Sequence, residues 1–98
     1  MLQLAIDKAR IGEFCRQHHI RLLAFFGSVL RDDFGPDSDV DVLVEFQAGH
    51  TPGLEFFAMQ EELSAILGRR VDLNTSKFLS PLFRSQVEKE AETHYEQA

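Results

Sequence analysis

The sequence predicts one α/β domain in which a small sheet is flanked by helices. Two observations predict this class. Short apolar segments typical of strands alternate with longer segments of helical periodicity. Apolar residues make up 44% of the chain and include nine phenylalanines, which is enough for a packed core. Because 98 residues suit a single core, we expect residues 1–98 to form one domain.

The first elements are a helix, a strand and a short second helix. Helical periodicity predicts the first helix over residues 4–19. Its apolar face is formed by Leu4, Ile11, Phe14 and Cys15. Residues 20–26 are almost entirely apolar, which indicates a central strand. Gly27-Ser28 interrupts this strand and begins a short helix through residue 31, and Gly and Pro indicate a loop over residues 32–38.

A second strand is predicted over residues 39–46, with Asp39 and Asp41 on one face and valines on the other. After a loop over residues 47–50, Thr51 is a candidate cap for the next helix. The apolar stripe of that helix contains Phe56, Met59, Leu63, Ile66 and Leu67.

Gly68 is placed to end this helix, and residues 70–73 form a third strand. Ser80-Pro81 begins a last helix, in which apolar residues recur every four positions. They are Phe83, Val87, Ala91 and Tyr95.

Composition and charge exclude several classes of protein. A formal net charge of −6 disfavours extended contact with DNA or RNA, which needs clustered cations, but permits a small nucleotide held with bound cations. A single cysteine fits a reducing cytoplasm. No apolar run is long enough to span a membrane, and the N-terminus lacks the order of a signal peptide, so we expect a cytoplasmic protein.

Asp39 and Asp41 are the first candidate site residues. Two residues apart on a strand, they lie about 6.6 Å apart on the same face. Carboxylates this close repel each other unless cations lie between them, and Mg²⁺ prefers such hard oxygen ligands. Two metal ions could stabilise both the attacking and the leaving oxygen of an in-line displacement. Taken alone, this common pattern also fits two solvated acids.

Gly27-Ser28 is the second candidate. Glycine lets a phosphate approach the backbone, and the start of a helix supplies free N–H groups. The serine adds a hydroxyl donor. An ordinary strand-to-helix turn would look the same, so the evidence lies in its register with the two aspartates.

The stretch from Phe26 to Val44 resembles the signature of the nucleotidyltransferase superfamily that includes polymerase beta. It resembles most closely the minimal nucleotidyltransferases (MNT), the antitoxins of HEPN/MNT toxin-antitoxin pairs. The likeness extends through Phe46, Thr51-Pro52-Gly53-Leu54, residues 67–73 and Leu79-Ser80-Pro81. It implies the family fold, a small mixed sheet flanked by helices.

The resemblance also implies roles for individual residues. Asp39 and Asp41 would ligate two Mg²⁺ ions, and Gly27-Ser28 would hold the triphosphate of ATP. Asp72 would be the third ligand and help to deprotonate the attacking hydroxyl. From the residues alone, Asp72 is equally an edge-strand acid that faces water or pairs with Arg69 or Arg70.

Two further residues complete the predicted site. Arg31 occupies a position where the family usually has arginine; it would contact phosphate or brace the loop through an acidic neighbour. Ser38 is a candidate for orienting the loop before Asp39.

The function implied by the resemblance is transfer of AMP from ATP to a tyrosine of a HEPN-family ribonuclease toxin, with release of pyrophosphate. One alternative is an antitoxin that acts mainly by stable binding, for which Leu82 or Phe83 of the last helix could contribute an interface. Another is nucleotidyl transfer to a small molecule, which usually requires a larger acceptor domain.

Overall fold

The computed structural model describes residues 2–97, apart from the side chain of residue 78. This part of the chain contains three α-helices and four strands. They are α1 (Lys8–Gln17), β1 (Ile20–Phe26), β2 (Val40–Phe46), α2 (Glu55–Leu67), β3 (Val71–Thr75), α3 (Pro81–Glu90) and β4 (Glu92–Glu96). Short 3-10 helices follow β1 (Gly27–Leu30) and β3 (Ser76–Phe78). None of the helices among these residues has both the length and the apolar character needed to cross a bilayer.

The strands form one mixed sheet in the order β3-β2-β1-β4. The pairs β1–β2 and β1–β4 are antiparallel, whereas β2 and β3 are parallel and connected through α2. The predicted fold class, a small mixed sheet flanked by helices, is confirmed. Strand β1 is interior, as its apolar sequence predicted, because β4 covers the edge that β2 leaves open.

Apolar side chains pack on both faces of the sheet. The larger core lies against α1 and α2 and includes Phe14, Phe25, Val40, Val42, Val44 and Leu63. A smaller cluster on the other face joins Phe26, Leu43, Leu79 and Val87, the last of these from α3. Successive residues of a strand point to opposite faces, so Asp41 shares the α3 face with Leu43.

Helix α1 is shorter than predicted, since it begins at Lys8 and not at residue 4. Asp7 caps it by accepting hydrogen bonds from the backbone N–H groups of Ala9 (3.0 Å) and Arg10 (3.2 Å). Before this cap the chain is not helical, and Leu2, Leu4 and Ile6 pack on the larger core. Their alternation with polar or small residues is a period of two, which the longer helical pattern concealed.

Helix α2 also begins later than predicted. Its N-cap is Leu54, without a side-chain hydrogen bond, so the prediction of Thr51 as the cap was wrong. A turn intervenes in which the N–H of Phe56 donates to the carbonyl of Gly53 (3.1 Å). The predicted end is confirmed, because Gly68 adopts the left-handed conformation (φ 67°) that closes a helix.

The last helix starts at Pro81 as predicted, but it does not continue to Tyr95. Ala91 turns to extended backbone (ψ 138°), and strand β4 follows and pairs with β1. His94 of β4 packs edge-on against Phe25, with 5.1 Å between ring centroids. The four-residue spacing of apolar side chains was compatible with a helix, but pairing along an otherwise open strand favoured β-structure.

Candidate active site

Strand pairing brings the candidate residues of three separate segments side by side. Phe26, at the end of β1, is opposite Asp41 of β2, and Asp41 is opposite Asp72 of β3. Neighbouring strands lie about 4.8 Å apart. The Gly27-Ser28 turn, Asp41 and Asp72 therefore lie side by side on three neighbouring strands, at one end of the sheet. Sequence spacing suggested this grouping, but only the register demonstrates it.

Gly27 lies directly against one of the aspartates. Its φ is +77°, a left-handed conformation that residues with a Cβ seldom adopt. A Cβ added at this position would collide with the carboxylate of Asp41. Glycine is thus needed twice here, once for the turn and once for the close approach of the backbone to the acid.

Ser28 follows within the 3-10 helix Gly27–Leu30 and is half-buried. The carbonyl of Ser28 accepts a hydrogen bond from the N–H of Arg31 at 2.9 Å, which closes this turn. The predicted short helix is therefore present, as a tighter 3-10 turn. It ends at Leu30 because Arg31 is in extended conformation.

Burial and the neighbouring acids disfavour the ionised form of Asp41. Burial, followed by the nearby carboxylates of Asp72 and Asp39 and a hydrogen bond with Asp72, raises its pKa from 3.8 to about 6. The guanidinium of Arg31 opposes this rise in pKa.

The other two acids are more exposed. Asp39 immediately precedes β2, and its carboxylate lies 3.8 Å from a guanidinium nitrogen of Arg70. Asp72 is exposed on β3 and faces Asp41. Among the residues that the structure describes, no three His, Cys, Asp or Glu side chains lie close enough together to form a ready metal site.

The donor set nevertheless fits a hard divalent cation. All three groups are carboxylates, the ligand type that Mg²⁺ prefers, and the negative charges of Asp72 and Asp39 already act on Asp41. Burial and the neighbouring carboxylates together raise the pKa of Asp41, and an ion held there would offset the part that comes from the carboxylates.

Arg31 has an acidic partner in the last helix. Its guanidinium lies 3.9 Å from the carboxylate of Glu90 and is close enough to Asp41 to act on its pKa. Of the two roles considered from sequence, the structure thus provides the acidic neighbour, which comes from α3 and not from the loop. Nothing in the sequence between these residues indicated that contact, because they are far apart along the chain.

The loop between the turn and β2 is held by a hydrogen bond within the loop and by contacts with Arg69. The hydroxyl of Ser38 accepts a hydrogen bond from the N–H of Gly35 at 3.1 Å. Arg69 donates to the carbonyls of Gly35 and Ser38, and its guanidinium lies 4.3 Å from the centre of the Phe34 ring. These hydrogen bonds tie Ser38 into the loop before Asp39; that Ser38 orients Asp39 for function stays a prediction.

Arg69 is the functional candidate that sequence reasoning missed. It was considered only as a partner for Asp72, whereas it binds the loop carbonyls. An arginine directly after the glycine that ends a helix was the available signal. The hydrogen-bond acceptors of Arg69, the carbonyls of Gly35 and Ser38, become identifiable only in the folded chain.

An open groove of about 730 Å³ adjoins the acids, a size within the range of small-molecule sites. Asp39, Asp72, Arg69 and Arg70 line it together with the C-terminal half of α2. Glu61 of α2 adds a third carboxylate, and the Gly27-Ser28 turn and Asp41 do not line this groove.

Comparison with known proteins gives the following matches. The model of a family described as a nucleotidyltransferase domain matches residues 8–94. Protein adenylyltransferase MntA of Thermococcus cleftensis is 46% identical over 70 residues, which span 70% of this chain and 69% of that protein. A Methanocaldococcus jannaschii protein that is also named protein adenylyltransferase is 32% identical over 84 residues, 86% of this chain and 89% of that protein.

Solved structures agree with these sequence matches. A minimal nucleotidyltransferase structure superposes with a TM-score of 0.70 at 36% identity and covers 87% of this chain and 86% of its own. A crystal structure of a toxin-antitoxin with AMP-PNP gives a TM-score of 0.76 at 20% identity, over 94% of this chain and 75% of that one. At that low identity the second likeness shows the fold alone.

Proposed function

Because this chain belongs to the nucleotidyltransferase domain family, we propose that it transfers AMP from ATP to a tyrosine of a HEPN-family toxin and thereby acts as its antitoxin. The family membership confirms the resemblance to minimal nucleotidyltransferases. The named relatives support protein adenylylation as the reaction. We place the reaction in the cytoplasm, where ATP is abundant and the single thiol, Cys15, stays reduced.

The reaction is a displacement at the α-phosphorus of ATP. The tyrosine oxygen attacks this phosphorus and forms a new P–O bond. The bond to the oxygen bridging the α- and β-phosphates breaks, and pyrophosphate leaves with its electron pair. The proton of the tyrosine hydroxyl passes to a base, a role that we assign to Asp72, which pairs with Asp41 across β2 and β3.

Each residue has a distinct task in this scheme. Gly27 lets the polyphosphate approach the backbone, and Ser28 donates its hydroxyl to a phosphate oxygen. Arg31 offers positive charge beside Asp41 while Glu90 steadies its guanidinium. Ser38 holds the loop that presents Asp39.

Asp39, Asp41 and Asp72 would hold Mg²⁺, two ions by the number of acids and the resemblance. When bound, these ions would stabilise the charge on the attacking and leaving oxygens. Without a cation the ionised form of Asp41 is disfavoured, because burial and then the carboxylates of Asp72 and Asp39 raise its pKa.

The single observation that carries the proposal is the contact of Gly27 with Asp41. The Gly27 turn is the proposed phosphate site, and Asp41 is a proposed cation ligand. The two lie so close together that a Cβ at Gly27 would collide with the Asp41 carboxylate. A solvated acid on an ordinary strand face would not need a glycine in left-handed conformation against it.

The test is a transfer assay with ATP labelled at the α-phosphate, Mg²⁺ and a HEPN-family protein as partner, taken from the neighbouring gene where that gene encodes one. We expect label on a tyrosine of the partner, located by mass spectrometry, and stoichiometric pyrophosphate release. Asp41→Asn should lose transfer. The matched control Asp37→Asn removes an exposed acid of the neighbouring loop and should retain it. Absence of label with wild-type protein, or full activity of Asp41→Asn, would refute the proposal.

A second candidate is neutralisation by stable binding alone. Helix α3 favours it, because Leu82 is 85% exposed and Phe83 is 48% exposed, which is unusual for large apolar side chains on adjacent positions. The double variant Asp39→Asn with Asp41→Asn separates the two. Full protection of cells from the toxin at native expression would favour binding, whereas lost protection with an intact complex would favour catalysis.

A further inference from the structure

A groove of about 420 Å³ lies between α2 and the outer edge of β3, and we name it the β3-edge groove. A smaller cavity of about 190 Å³ adjoins it at the C-terminal end of β3. The two share four lining residues, which are Phe46, Thr51, Thr75 and Lys77. The volume of the larger groove lies within the range of small-molecule sites, so there is room for a small organic ligand.

The β3-edge groove is separate from the candidate active site. Leu73 and Phe46 of its strand wall pack on the larger core, on the face of the sheet that α2 covers. Asp72 also lines the groove, but successive side chains of a strand alternate, so its carboxylate lies on the opposite face, where it meets Asp41. A ligand in this groove would therefore occupy a second site.

One wall of the β3-edge groove is aromatic. The rings of Phe46 and Phe56 are edge-on to each other at 6.4 Å, and those of Phe56 and Phe57 at 6.3 Å. Phe57 is 66% exposed although it is a large apolar side chain. Pro52 and Leu73 continue the apolar lining. An aromatic ring or an alkyl chain that covers these side chains would bury apolar surface, which favours binding.

The end of the groove at the C-terminus of β3 is polar and carries a positive charge. Thr51 and Thr75 contribute hydroxyl groups there. Among the residues that the structure describes, Lys77 is the only cation that lines either cavity. Glu45, which lines the smaller cavity, is paired with Arg21 at 2.8 Å, so its charge is compensated. This end therefore suits a group that is an anion and a hydrogen-bond acceptor.

The backbone beside the groove disfavours a peptide strand as the occupant. The N–H of Leu73 donates to the side-chain oxygen of Gln60 at 2.9 Å, and the N–H of Val71 donates to the hydroxyl of Ser64 at 3.1 Å. A partner strand would need these donors for its own ladder. The apolar wall beside them stays open to a small molecule.

We propose that the β3-edge groove is a ligand site for a small carboxylate that carries an aromatic ring. The ring packs against Phe56 and Phe57, and the carboxylate accepts hydrogen bonds from Lys77 and from the hydroxyls of Thr51 and Thr75. A single negative charge matches the single cation, whereas a polyphosphate has more charge than one lysine balances and no apolar surface to bury. The formal net charge of −6 gives anions no general attraction to the chain, so the retention of this ligand depends on Lys77.

The test is an NMR titration of the isotope-labelled full chain, which needs neither ATP nor a partner. The probes are phenylpropionate, which has a ring and a carboxylate, phenylpropanol, which has the ring without the charge, and acetate, which has the charge without the ring. We expect saturable amide shifts at Gly53, Phe57 and Thr75 with phenylpropionate only. The amides of Asp39 and Asp41 should not shift.

Single substitutions then test the two halves of the ligand. Lys77→Met removes the charge and keeps an unbranched side chain, so the affinity for phenylpropionate should fall about three- to fivefold, as for an exposed ion pair. Phe57→Ala removes part of the aromatic wall and should lower this affinity about two- to tenfold. The matched controls Lys89→Met and Leu54→Ala change exposed side chains outside both cavities and should leave the affinity unchanged.

Several results would overturn the proposal. Absence of saturable shifts would mean that the groove binds no such ligand. Equal affinity for phenylpropanol, or full affinity in Lys77→Met, would mean that the charge has no part in recognition. Shifts centred on Asp39 and Asp41 would locate the probe in the candidate active site. Shifts at the groove amides on concentrating the chain without a probe would mean that a second copy covers the groove. Since the titration involves no nucleotidyl transfer, none of these results bears on the proposed function.

Discussion

Replacing Gly27 by alanine tests the contact between the turn and the acid directly. The backbone at this position has φ +77°, which costs a residue with a Cβ about 1–2 kcal/mol. The new Cβ would also force the Asp41 side chain from its position. A displaced, off-rotamer side chain adds about 1 kcal/mol. We therefore expect two separable penalties, one from the backbone conformation and one from the acid.

Gly49 offers a matched control, because its φ is +82° and a Cβ there would meet nothing within 4 Å. Gly49→Ala should pay only the backbone penalty. The reduced entropy of the unfolded chain after Gly→Ala is common to both variants and cancels in the comparison. The difference between them is thus about 1 kcal/mol, which corresponds to about 4–8 °C in Tm for a domain of this size.

The assay is thermal and urea unfolding of both variants without divalent cations, followed by circular dichroism. Repeating Gly27→Ala in an Asp41→Ala background should reduce its penalty to that of Gly49→Ala, since the colliding group is gone. Transfer activity should be lost in Gly27→Ala and kept in Gly49→Ala. Equal Tm values for the two single variants would refute the contact on which the proposed site depends.

Three other predictions follow from the same structure. Folding raises the pKa of Asp41 from 3.8 to about 6, so ionisation of this carboxyl lowers the stability of the fold as the pH rises through this interval. In the absence of divalent ions, Asp41→Asn should therefore raise the free energy of unfolding at pH 8. At pH 3.5 the substitution should leave it unchanged. The upper limit is about 3 kcal/mol, and we expect about 1–2 because the carboxyl is half exposed; urea titrations at both pH values check this, and a loss at pH 8 would contradict it. Burial raises the pKa of the Cys15 thiol to about 12, so a disulfide reagent at pH 8 should modify it no faster than the protein unfolds, and rapid modification of folded protein would be the opposing result. Arg69→Lys keeps the charge but removes the planar fork over Phe34, and should speed hydrogen exchange of the Ser38 amide; unchanged exchange would mean that the arginine does not brace the loop.

Local sequence was a good guide wherever one segment determines its own structure. The apolar run of β1, the valine face of β2 and the glycine that ends α2 were predicted from spacing and residue type, and all three are confirmed. Their physical basis is short-range, because periodicity sets which side chains share a face and φ > 0 selects glycine.

Local sequence failed where a distant segment decides. The predicted first helix included residues 4–6, which belong to an alternating apolar segment that is not helical. The predicted last helix included Glu92–Glu96, which forms a strand. In both cases the deciding contact is with a part of the chain far away, the residues after β1 in the first and β1 itself in the second. A prediction from neighbouring residues cannot include a contact with a distant part of the chain.

For the candidate site, sequence alone determined which groups are present: a glycine-serine turn, two acids two residues apart and a third acid on a later strand. Only the tertiary structure decided how they meet, through the register that aligns Asp41 with Asp72 and the turn that presses Gly27 against Asp41. It also decided that Arg31 reaches Glu90 and that aromatic side chains line the edge of β3. Residue type and spacing are encoded locally, whereas the distance between two strands depends on the packing of the whole chain.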